Sequence, residues 1–221
     1  MRTLAIGDIH GCNTALESLL KSVQPAPGDR IVLLGDYIDR GPSSCEVVET
    51  LLALDASHSP IFLRGNHEVM LLEARDDSFK ADLWQNCSGL ETLSSYNAKF
   101  QANWASSIPA RHWEFFAQTK RFFETENHIF VHAGLDSGLD LSEQPDWMLY
   151  WETLDRLKPH KSGKRIVCGH TRQRTGEIKT NSFATCIDTG AAVGGWLTCL
   201  DVDSATFWQA NEKGQTRTGK L

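Results

Sequence analysis

The sequence predicts an α/β fold built around parallel strands, and two observations lead to this prediction. Short apolar runs rich in branched residues, which are typical of strands buried on both faces, occur at residues 3–6, 30–34 and 61–63. Each run is followed by a polar turn and a stretch of helical periodicity. Strands and helices in alternation give parallel strands joined by right-handed crossovers.

A helix is predicted behind each of these strands. The first helix follows a Thr14-x-x-Glu17 capping signal and repeats apolar residues at helical spacing. The second has Pro42 at its first helical position, where the missing N–H is not needed. Asn66 caps the third.

Polar motifs follow the end of each predicted strand. The first three strands are followed by GDIHG, GDYIDRG and RGNHE, and two later apolar runs, 128–131 and 165–168, are followed by HAG and GHT. In open α/β sheets, ligands bind beyond the carboxyl ends of the strands. We therefore expect one rim of the fold to carry six polar side chains: Asp8, His10, Asp36, Asn66, His132 and His170.

These six side chains have the composition of a metal site. Two aspartates, one asparagine and three histidines offer oxygen and nitrogen ligands without a thiolate, a mixture that suits manganese, iron or zinc. Asp8 and His10 are two positions apart, so in an extended chain both point to the same side. Six ligands exceed the needs of one tetrahedral zinc ion but fit two cations that share a bridging carboxylate. The sequence thus predicts a dinuclear metal centre.

Charged side chains beside these ligands indicate an anionic substrate. Arg40 and Arg64 present planar forks of donors that match the oxygens of a phosphate group. His67 is adjacent to a predicted ligand, and a carboxylate partner at Asp39 would orient it as a proton donor to a leaving alkoxide. The predicted chemistry is the hydrolysis of a phosphate ester.

Composition and charge argue against several other classes. The 221-residue chain has a formal net charge of -6, which disfavours binding to nucleic acid or to a membrane surface, since both are anionic. Six dispersed cysteines without a C-x-x-C pair are typical of a reducing compartment. No signal peptide and no run of 18 apolar residues is evident, so we predict a cytoplasmic location.

Taken together and in order, the five motifs resemble the signature of the PPP family of metal-dependent serine/threonine phosphoprotein phosphatases. The resemblance is to the compact bacterial and phage members, within the calcineurin-like metallophosphoesterase superfamily, and it covers residues 1–75 and 128–200. It implies a four-layer α/β/β/α sandwich of two mixed β-sheets flanked by helices. It also implies a single domain over residues 1–221, with a helical insert at about 76–127. The tail, at 183–187, 196–202 and 206–209, would supply the second sheet.

The resemblance also implies a role for each motif residue. Asp8 and His10 would bind one cation, Asp36 would bridge both, and three residues would complete the second site: Asn66, His132 and His170. Arg40 and Arg64 would bind the phosphoryl group, and His67 with Asp39 would donate the proton. The two divalent ions, manganese in the first place, would activate a hydroxide for attack on a phosphoprotein or phosphopeptide of serine/threonine or dual specificity.

The chain departs from the family pattern in one respect. Relatives often bring a further phosphate-binding arginine from the segment after HAG, and Leu149-Tyr150-Trp151-Glu152 has none there, which leaves Arg156 as the nearest candidate. The oligomeric state is not indicated by any pattern.

Two alternatives stay open. Symmetrical dinucleoside tetraphosphate hydrolases carry similar motifs, but they tend to lack the second acid of GDYIDRG and to read GNHD, whereas this chain has Asp39 and Glu68. A non-catalytic phosphate-binding module derived from the same fold is the other. The presence of His67 argues against it, because binding alone needs no proton donor.

Overall fold

Two mixed β-sheets are stacked face to face between helices in the computed structural model, which describes residues 1–99 and 103–221. This arrangement confirms the predicted α/β sandwich. The α-helices are α1 (Asn13–Val23), α2 (Ser44–His58), α3 (Asn66–Asp76), α4 (Ser78–Trp84), α5 (Leu90–Ser95), α6 (Ala110–Gln118) and α7 (Asp146–Trp151). The strands are β1 (Thr3–Ile6), β2 (Arg30–Leu33), β3 (Ile61–Phe62), β4 (Phe122–Glu124), β5 (His128–Val131), β6 (Arg165–Cys168), β7 (Lys179–Thr180), β8 (Ala184–Cys186), β9 (Asp188–Thr189), β10 (Trp196–Asp201), β11 (Thr206–Ala210) and β12 (Thr216–Lys220).

The first sheet has the strand order β12-β11-β10-β1-β2-β3, with β9 also paired to β10. As predicted, β1, β2 and β3 run parallel and are joined by helices. The second sheet has the order β4-β5-β6-β8-β7, and its central strands β5, β6 and β8 are also parallel. Each sheet is mixed because antiparallel strands extend its parallel centre.

The predicted origin of the second sheet is wrong for most of the tail. The strands β10 and β11, predicted at 196–202 and 206–209, extend the first sheet, and only β8 joins the second. The physical reason is that β2 pairs with only one edge of β1. The other edge is left with unpaired backbone groups, which need a partner. β10 pairs antiparallel with that edge, with Leu4 opposite Asp201. The second sheet is built instead around β5 and β6.

Strand residues alternate between two apolar layers, as the period of a pleated strand requires. In β1, Ala5 faces the layer between the sheets, while Leu4 and Ile6 pack with α1 and α2. In β5, Phe130 faces the inner layer and its neighbours pack on the outer face of the second sheet. The inner layer is formed by Ala5, Val32, Leu34, Leu63, Phe130, Val167, Ile187 and Leu200. Apolar packing on both faces therefore fixes the strands whose carboxyl ends carry the motifs.

The predicted helix starts are displaced by one or two residues. Thr14 lies inside α1, whose N-cap is Cys12, so the expected capping box does not form. Pro42 precedes α2 by two positions, and Asn66 is the first residue of α3 rather than its cap. In each case the chain leaves a tight motif turn before it becomes helical. Turn geometry therefore overrides the local capping preference.

Residues 76–127 contain α4, α5 and α6, and three residues of the predicted insert, 100–102, lie outside the described part of the chain. The same stretch also contains β4, a strand absent from the sequence prediction, which pairs antiparallel with β5. Trp84, Trp104 and Trp113 are buried and stack in series, with ring centroids 5.0 and 6.1 Å apart. These aromatic residues therefore form part of the core.

Among the described residues, no helix has the length and apolar character needed to cross a bilayer. Four of the six free thiols are buried in the core: Cys12, Cys168, Cys186 and Cys199.

Candidate functional site

The six predicted metal ligands converge where the carboxyl ends of the two sheets meet. Five of them follow strands β1, β2, β5 and β6, and Asn66 begins α3. Contacts across the sandwich tie these ends together. For example, Nδ1 of His132 lies 2.9 Å from the carbonyl oxygen of Leu34, and the amide of His170 lies 3.0 Å from Oδ2 of Asp8. The site is therefore shared by both sheets.

Asp36 lies between two buried histidines. Its Oδ2 is 3.3 Å from Nε2 of His10, and its Oδ1 is 3.4 Å from Nε2 of His132. All three side chains are nearly inaccessible to solvent. The two oxygens of one carboxylate thus face two different sets of ligands, which is the arrangement that a bridging ligand requires.

Three acceptor atoms meet on the His132 side. Oδ1 of Asn66 is 3.0 Å from Nε2 of His132 and 3.0 Å from Nδ1 of His170. Burial lowers the pKa of His132 to about 3, so its ring is neutral and carries one proton. That proton is donated from Nδ1 to Leu34, which leaves the lone pair of Nε2 facing the oxygen of Asn66. Converging lone pairs of this kind fit a cation.

His10 is prepared as a ligand in the same way. Its Nδ1 lies 2.8 Å from the carbonyl oxygen of Ile38, a contact that fixes the proton on Nδ1 and presents Nε2 to the site. A backbone hydrogen bond that orients a ligand histidine is a recurrent feature of metal sites. The sequence could not indicate this contact, because it joins two different loops.

Three buried carboxyl groups lie near one another in the site: Asp8, Asp36 and Asp188. Burial raises the pKa of Asp8 well above its usual value, and the nearby carboxylates of Asp188 and Asp36 raise it further. Burial also raises the pKa of Asp188, the first residue of β9. Carboxylates this close disfavour one another's charged forms unless a cation lies between them. This electrostatic environment suits divalent cations.

Two groups of side chains have the spacing of metal ligands. One group contains Asp36, His132 and His170, and the other contains Asp36, His10 and His67, with the ligand atoms of each group within 4.8 Å of one another. Asp36 belongs to both. His67 stands in the second group where the resemblance implies Asp8. The Asp8 carboxylate instead accepts the backbone amide of His170. The donor set fits two cations that share Asp36.

The backbone of the site is strained at five positions. Left-handed φ angles, which cost a residue other than glycine about 1–3 kcal/mol each, occur at functional sites more often than elsewhere. Here φ lies between 48° and 70° at His10, Asp36, Asp39, Arg40 and His170. All five carry predicted functional side chains. The motif turns therefore hold the side chains at some cost to backbone stability.

Two glycines let backbone and carboxylate approach closely. A Cβ atom on Gly65 would overlap Oδ1 of Asp36, and one on Gly169 would overlap Oδ1 of Asp8. The glycines of RGNHE and GHT are thus explained by close approach, because any side chain at these positions would collide with a carboxylate of the site.

Glu68 organises the loop that carries Asp36. Its carboxylate accepts the amide protons of Asp36 and Tyr37, each at 2.8 Å, and of Gly65 at 2.9 Å. Burial, reinforced by the charge of Asp36, raises the pKa of Glu68 to about 7. In the sequence, Glu68 distinguishes two families of hydrolases, but no pattern there indicates its structural role. It joins the second motif to the third.

His67 and Asp39 form a buried pair. Nδ1 of His67 lies 2.6 Å from Oδ2 of Asp39, and Nε2 of His67 faces Arg40 at 3.1 Å. Burial lowers the pKa of His67, but the carboxylates of Asp36 and Asp39 outweigh this effect and raise the pKa overall. Trp84 and Thr92, from the segment between the motifs, also donate to Asp39, and the sequence analysis missed both of these contacts.

The arginines differ in their surroundings. Arg40 is exposed, and its two terminal nitrogens lie 2.8 Å from Nε2 of His10 and 3.1 Å from Nε2 of His67. Arg64 is half-buried, and its guanidinium donates to Thr119 and to carbonyl oxygens at the end of α6. Arg156 is exposed and lines a surface depression beside Asp136. Arg40 is therefore the arginine in direct contact with the predicted catalytic side chains.

Comparison with known proteins agrees with this geometry. Residues 1–185 match the sequence profile of the family described as calcineurin-like phosphoesterase. A bis(5'-nucleosyl)-tetraphosphatase, symmetrical, from Pseudomonas putida is 30% identical over 152 residues, which is 67% of this chain and 45% of that protein. A homologue of the same description from Coxiella burnetii is 29% identical over 142 residues, 64% of this chain and 44% of its own length. The chain thus spans less than half the length of these relatives.

Solved structures share the fold over nearly the whole chain. The crystal structure of a candidate diadenosine tetraphosphatase matches with a TM-score of 0.68 and 24% identity, and the match covers 99% of this chain and 93% of that one. A cold-active protein tyrosine phosphatase matches with a TM-score of 0.67 and 18% identity, over 98% of this chain and 78% of its own. At these identities the likeness extends to the fold alone.

Proposed function

Because the chain belongs to the calcineurin-like phosphoesterase family, we propose that it hydrolyses phosphate esters or anhydrides with the help of two divalent cations. The observation that carries this proposal is the convergence of potential ligand atoms around Asp36. In the proposed assignment, six side chains hold the cations: Asp8, His10, Asp36, Asn66, His132 and His170. We expect manganese to support activity best, with iron and zinc as the other candidates.

Residues of the chain would bind the phosphoryl group and protonate the leaving group. The cations would supply a water nucleophile active at neutral pH and neutralise charge on the phosphoryl oxygens. Arg40 is exposed beside the ligands, so its planar fork can hold two oxygens of the phosphoryl group. His67, oriented by Asp39, can donate a proton from Nε2 to the leaving oxygen. Arg64 would assist only if its contacts with α6 were rearranged.

Dinucleoside tetraphosphate is the substrate that we place first. The support comes from the curated relatives, whose names describe symmetrical tetraphosphatases, and from the matching candidate diadenosine tetraphosphatase. Symmetrical cleavage would release two nucleoside diphosphates.

A phosphoprotein phosphatase of serine/threonine or dual specificity is the second candidate, and the His67–Asp39 pair favours it. A seryl or threonyl alkoxide is a poor leaving group and needs a proton in the transition state, whereas a nucleoside diphosphate is a stable anion and needs one far less. A buried, well-oriented proton donor is therefore more useful for a phosphomonoester of an alcohol. This pair also argues against a module that only binds phosphate.

One comparison of substrates tests these proposals. The purified protein is stripped of metal, supplied with manganese, and assayed with diadenosine tetraphosphate, a phosphoserine peptide and para-nitrophenyl phosphate. Release of adenosine diphosphate with little peptide turnover supports the first candidate, and the reverse supports the second. Binding of phosphate without manganese-dependent turnover of any substrate would support the alternative of a non-catalytic phosphate-binding module. Asp36→Asn serves as the inactive control.

A further inference from the structure

We infer that Trp84 and Thr92, which lie between the motifs in sequence, are positioning residues for the proton donor, because both donate hydrogen bonds to the buried carboxylate of Asp39. This inference rests on the proposed function and adds to it. It assigns a positioning role to two residues of the segment 76–127, which contains none of the five motifs.

Both carboxylate oxygens of Asp39 accept hydrogen bonds from the protein. Oδ1 accepts from the hydroxyl of Thr92 at 2.6 Å, and Oδ2 accepts from the indole nitrogen of Trp84 at 2.9 Å and from His67 at 2.6 Å. Asp39 is completely buried, so water cannot replace a lost donor without structural change. A carboxylate held by three donors has one orientation, and it imposes that orientation on the ring of His67.

The hydroxyl of Thr92 is fully committed to Asp39. It has one proton, which goes to Oδ1, and its oxygen accepts the backbone amide of Asp39 at 2.9 Å. The hydroxyl oxygen of Ser44, 3.1 Å from that of Thr92, also accepts the backbone amide of Asp39. Thr92 thus fixes both the side chain and the backbone of Asp39, whose φ of 70° lies in the strained left-handed region.

The indole of Trp84 is closely packed by Gly89 and Trp104. Gly89 lies so close to the ring that a Cβ there would be 2.6 Å from Cδ2 of Trp84, and the ring of Trp104 packs 5.0 Å away between centroids. Trp84 itself is completely buried. A bulkier residue at position 89 would displace the ring, so the glycine keeps the indole N–H pointed at Asp39.

These contacts predict a specific kinetic signature. A proton donor matters most when the leaving group is a strong base, and general acid catalysis contributes about 10²–10⁴-fold to such reactions. Loss of a positioning residue should therefore slow turnover of poor leaving groups far more than of good ones. A residue needed only for folding would lower both alike.

The test compares Thr92→Val, Trp84→Phe and the rescuing variant Thr92→Ser on a series of aryl phosphates and a phosphoserine peptide. For Thr92→Val we expect kcat to fall about 10-fold or more with the peptide and phenyl phosphate, but less than about 3-fold with para-nitrophenyl phosphate. Thr92→Ser should restore the wild-type pattern. Trp113→Phe is the matched control, since it removes an indole N–H from the same aromatic stack that donates to Ala105 instead of Asp39.

A second readout does not depend on turnover. Histidine labelled with ¹⁵N reports the Nδ1 proton of His67, which is shifted downfield by its short hydrogen bond to Asp39. We expect that resonance to move or disappear in Thr92→Val and Trp84→Phe, and to stay in Thr92→Ser and Trp113→Phe. This measurement remains informative even if one variant loses activity through instability.

Failure of the inference and failure of the proposed function are distinguishable. If wild-type protein with manganese hydrolyses neither these phosphomonoesters nor diadenosine tetraphosphate, the proposed function is wrong whatever the resonances show. If the wild type is active but Thr92→Val loses the same fraction of kcat with every leaving group, or keeps the His67 resonance unchanged, the positioning role is wrong and the hydrolase stands.

Discussion

Nε2 of His10 lies 3.3 Å from Oδ2 of Asp36, while the other oxygen of the same carboxylate faces Nε2 of His132 at 3.4 Å. Asp36 is thus the side chain common to both groups of potential ligands. The groups come from different sheets, so this carboxylate joins the two halves of the sandwich at the site.

The substitution Asp36→Asn should abolish activity and remove at least one of two bound manganese ions, with little unfolding. The amide has nearly the same shape as the carboxylate, but it lacks the charge and the second oxygen needed to bridge two cations. Metal stoichiometry by calorimetry and thermal unfolding in chelator would check this. Asp140→Asn, at an exposed aspartate, is the control; full activity of Asp36→Asn would remove Asp36 from the bridging position.

The substitution His67→Asn should retain both metal ions and lose turnover by about 10²–10⁴-fold on an alkyl phosphate substrate. His67 binds Asp39 through Nδ1, and the proposed ligand set does not include it. Metal content and kcat measured on the same sample separate binding from catalysis. An enzyme with unchanged kcat would show that His67 is not the proton donor, and loss of metal would make it a ligand, as its place beside Asp36 and His10 allows.

The substitution Glu68→Gln should lower the free energy of unfolding by about 1–3 kcal/mol, because one of the three buried amides that Glu68 accepts would face an amide nitrogen instead. The loop carrying Asp36 would loosen, so we also expect weaker manganese binding. Urea unfolding of the metal-free protein measures the first effect. Glu143→Gln, at an exposed position, should change neither quantity.

The salt bridge between Arg2 and Asp29 should make stability depend on pH in the acid range. Burial alone would raise the pKa of Asp29, but hydrogen bonds from Arg2 and Ala26 outweigh it and lower the pKa. A carboxyl whose pKa is lowered in the folded state stabilises the fold above its unfolded pKa of about 3.9, and the benefit disappears as pH falls through the folded value. Asp29→Asn should therefore be less stable than wild type at pH 7, with a difference that shrinks below about pH 4 in urea unfolding.

Removal of metal by chelation should abolish activity and lower the unfolding temperature, and manganese should restore both. Cations that bind only the folded state stabilise it, by about 2.7 kcal/mol at 100 times their dissociation constant. They would also offset the burial and the repulsion from Asp188 and Asp36 that together raise the pKa of Asp8. Thermal scans at increasing manganese check this expectation, and a melting temperature independent of manganese would contradict it.

The individual strands could be predicted from the sequence, but their pairing could not. The runs at 3–6, 128–131 and 165–168 agree with β1, β5 and β6 because a short buried strand has a strong local pattern. The partner of β1 on its open edge is β10, and nothing local to either strand encodes that choice. For this reason the sequence does not predict that β10 and β11 extend the first sheet.

The functional site, too, could be predicted only in part. The motifs predict which residues approach one another, since each lies at the end of a strand and its chemistry is visible in the sequence. The hydrogen bonds from Trp84 and Thr92 come from a segment without a motif, so no local pattern reveals them. Asp39 is the one indication that such donors exist. A buried carboxylate needs hydrogen-bond donors, and its own loop does not provide enough of them.

The pairing of Leu4 with Asp201 also has a consequence for biosynthesis. β1 is synthesised well before β10, so the edge of β1 has no partner until β10 has been made, and contacts so distant in sequence form slowly. During translation the open edge of β1 is exposed to other nascent chains, a situation that favours aggregation. We expect a ribosome-bound chain arrested before β10 to stay sensitive to protease and to recruit chaperones.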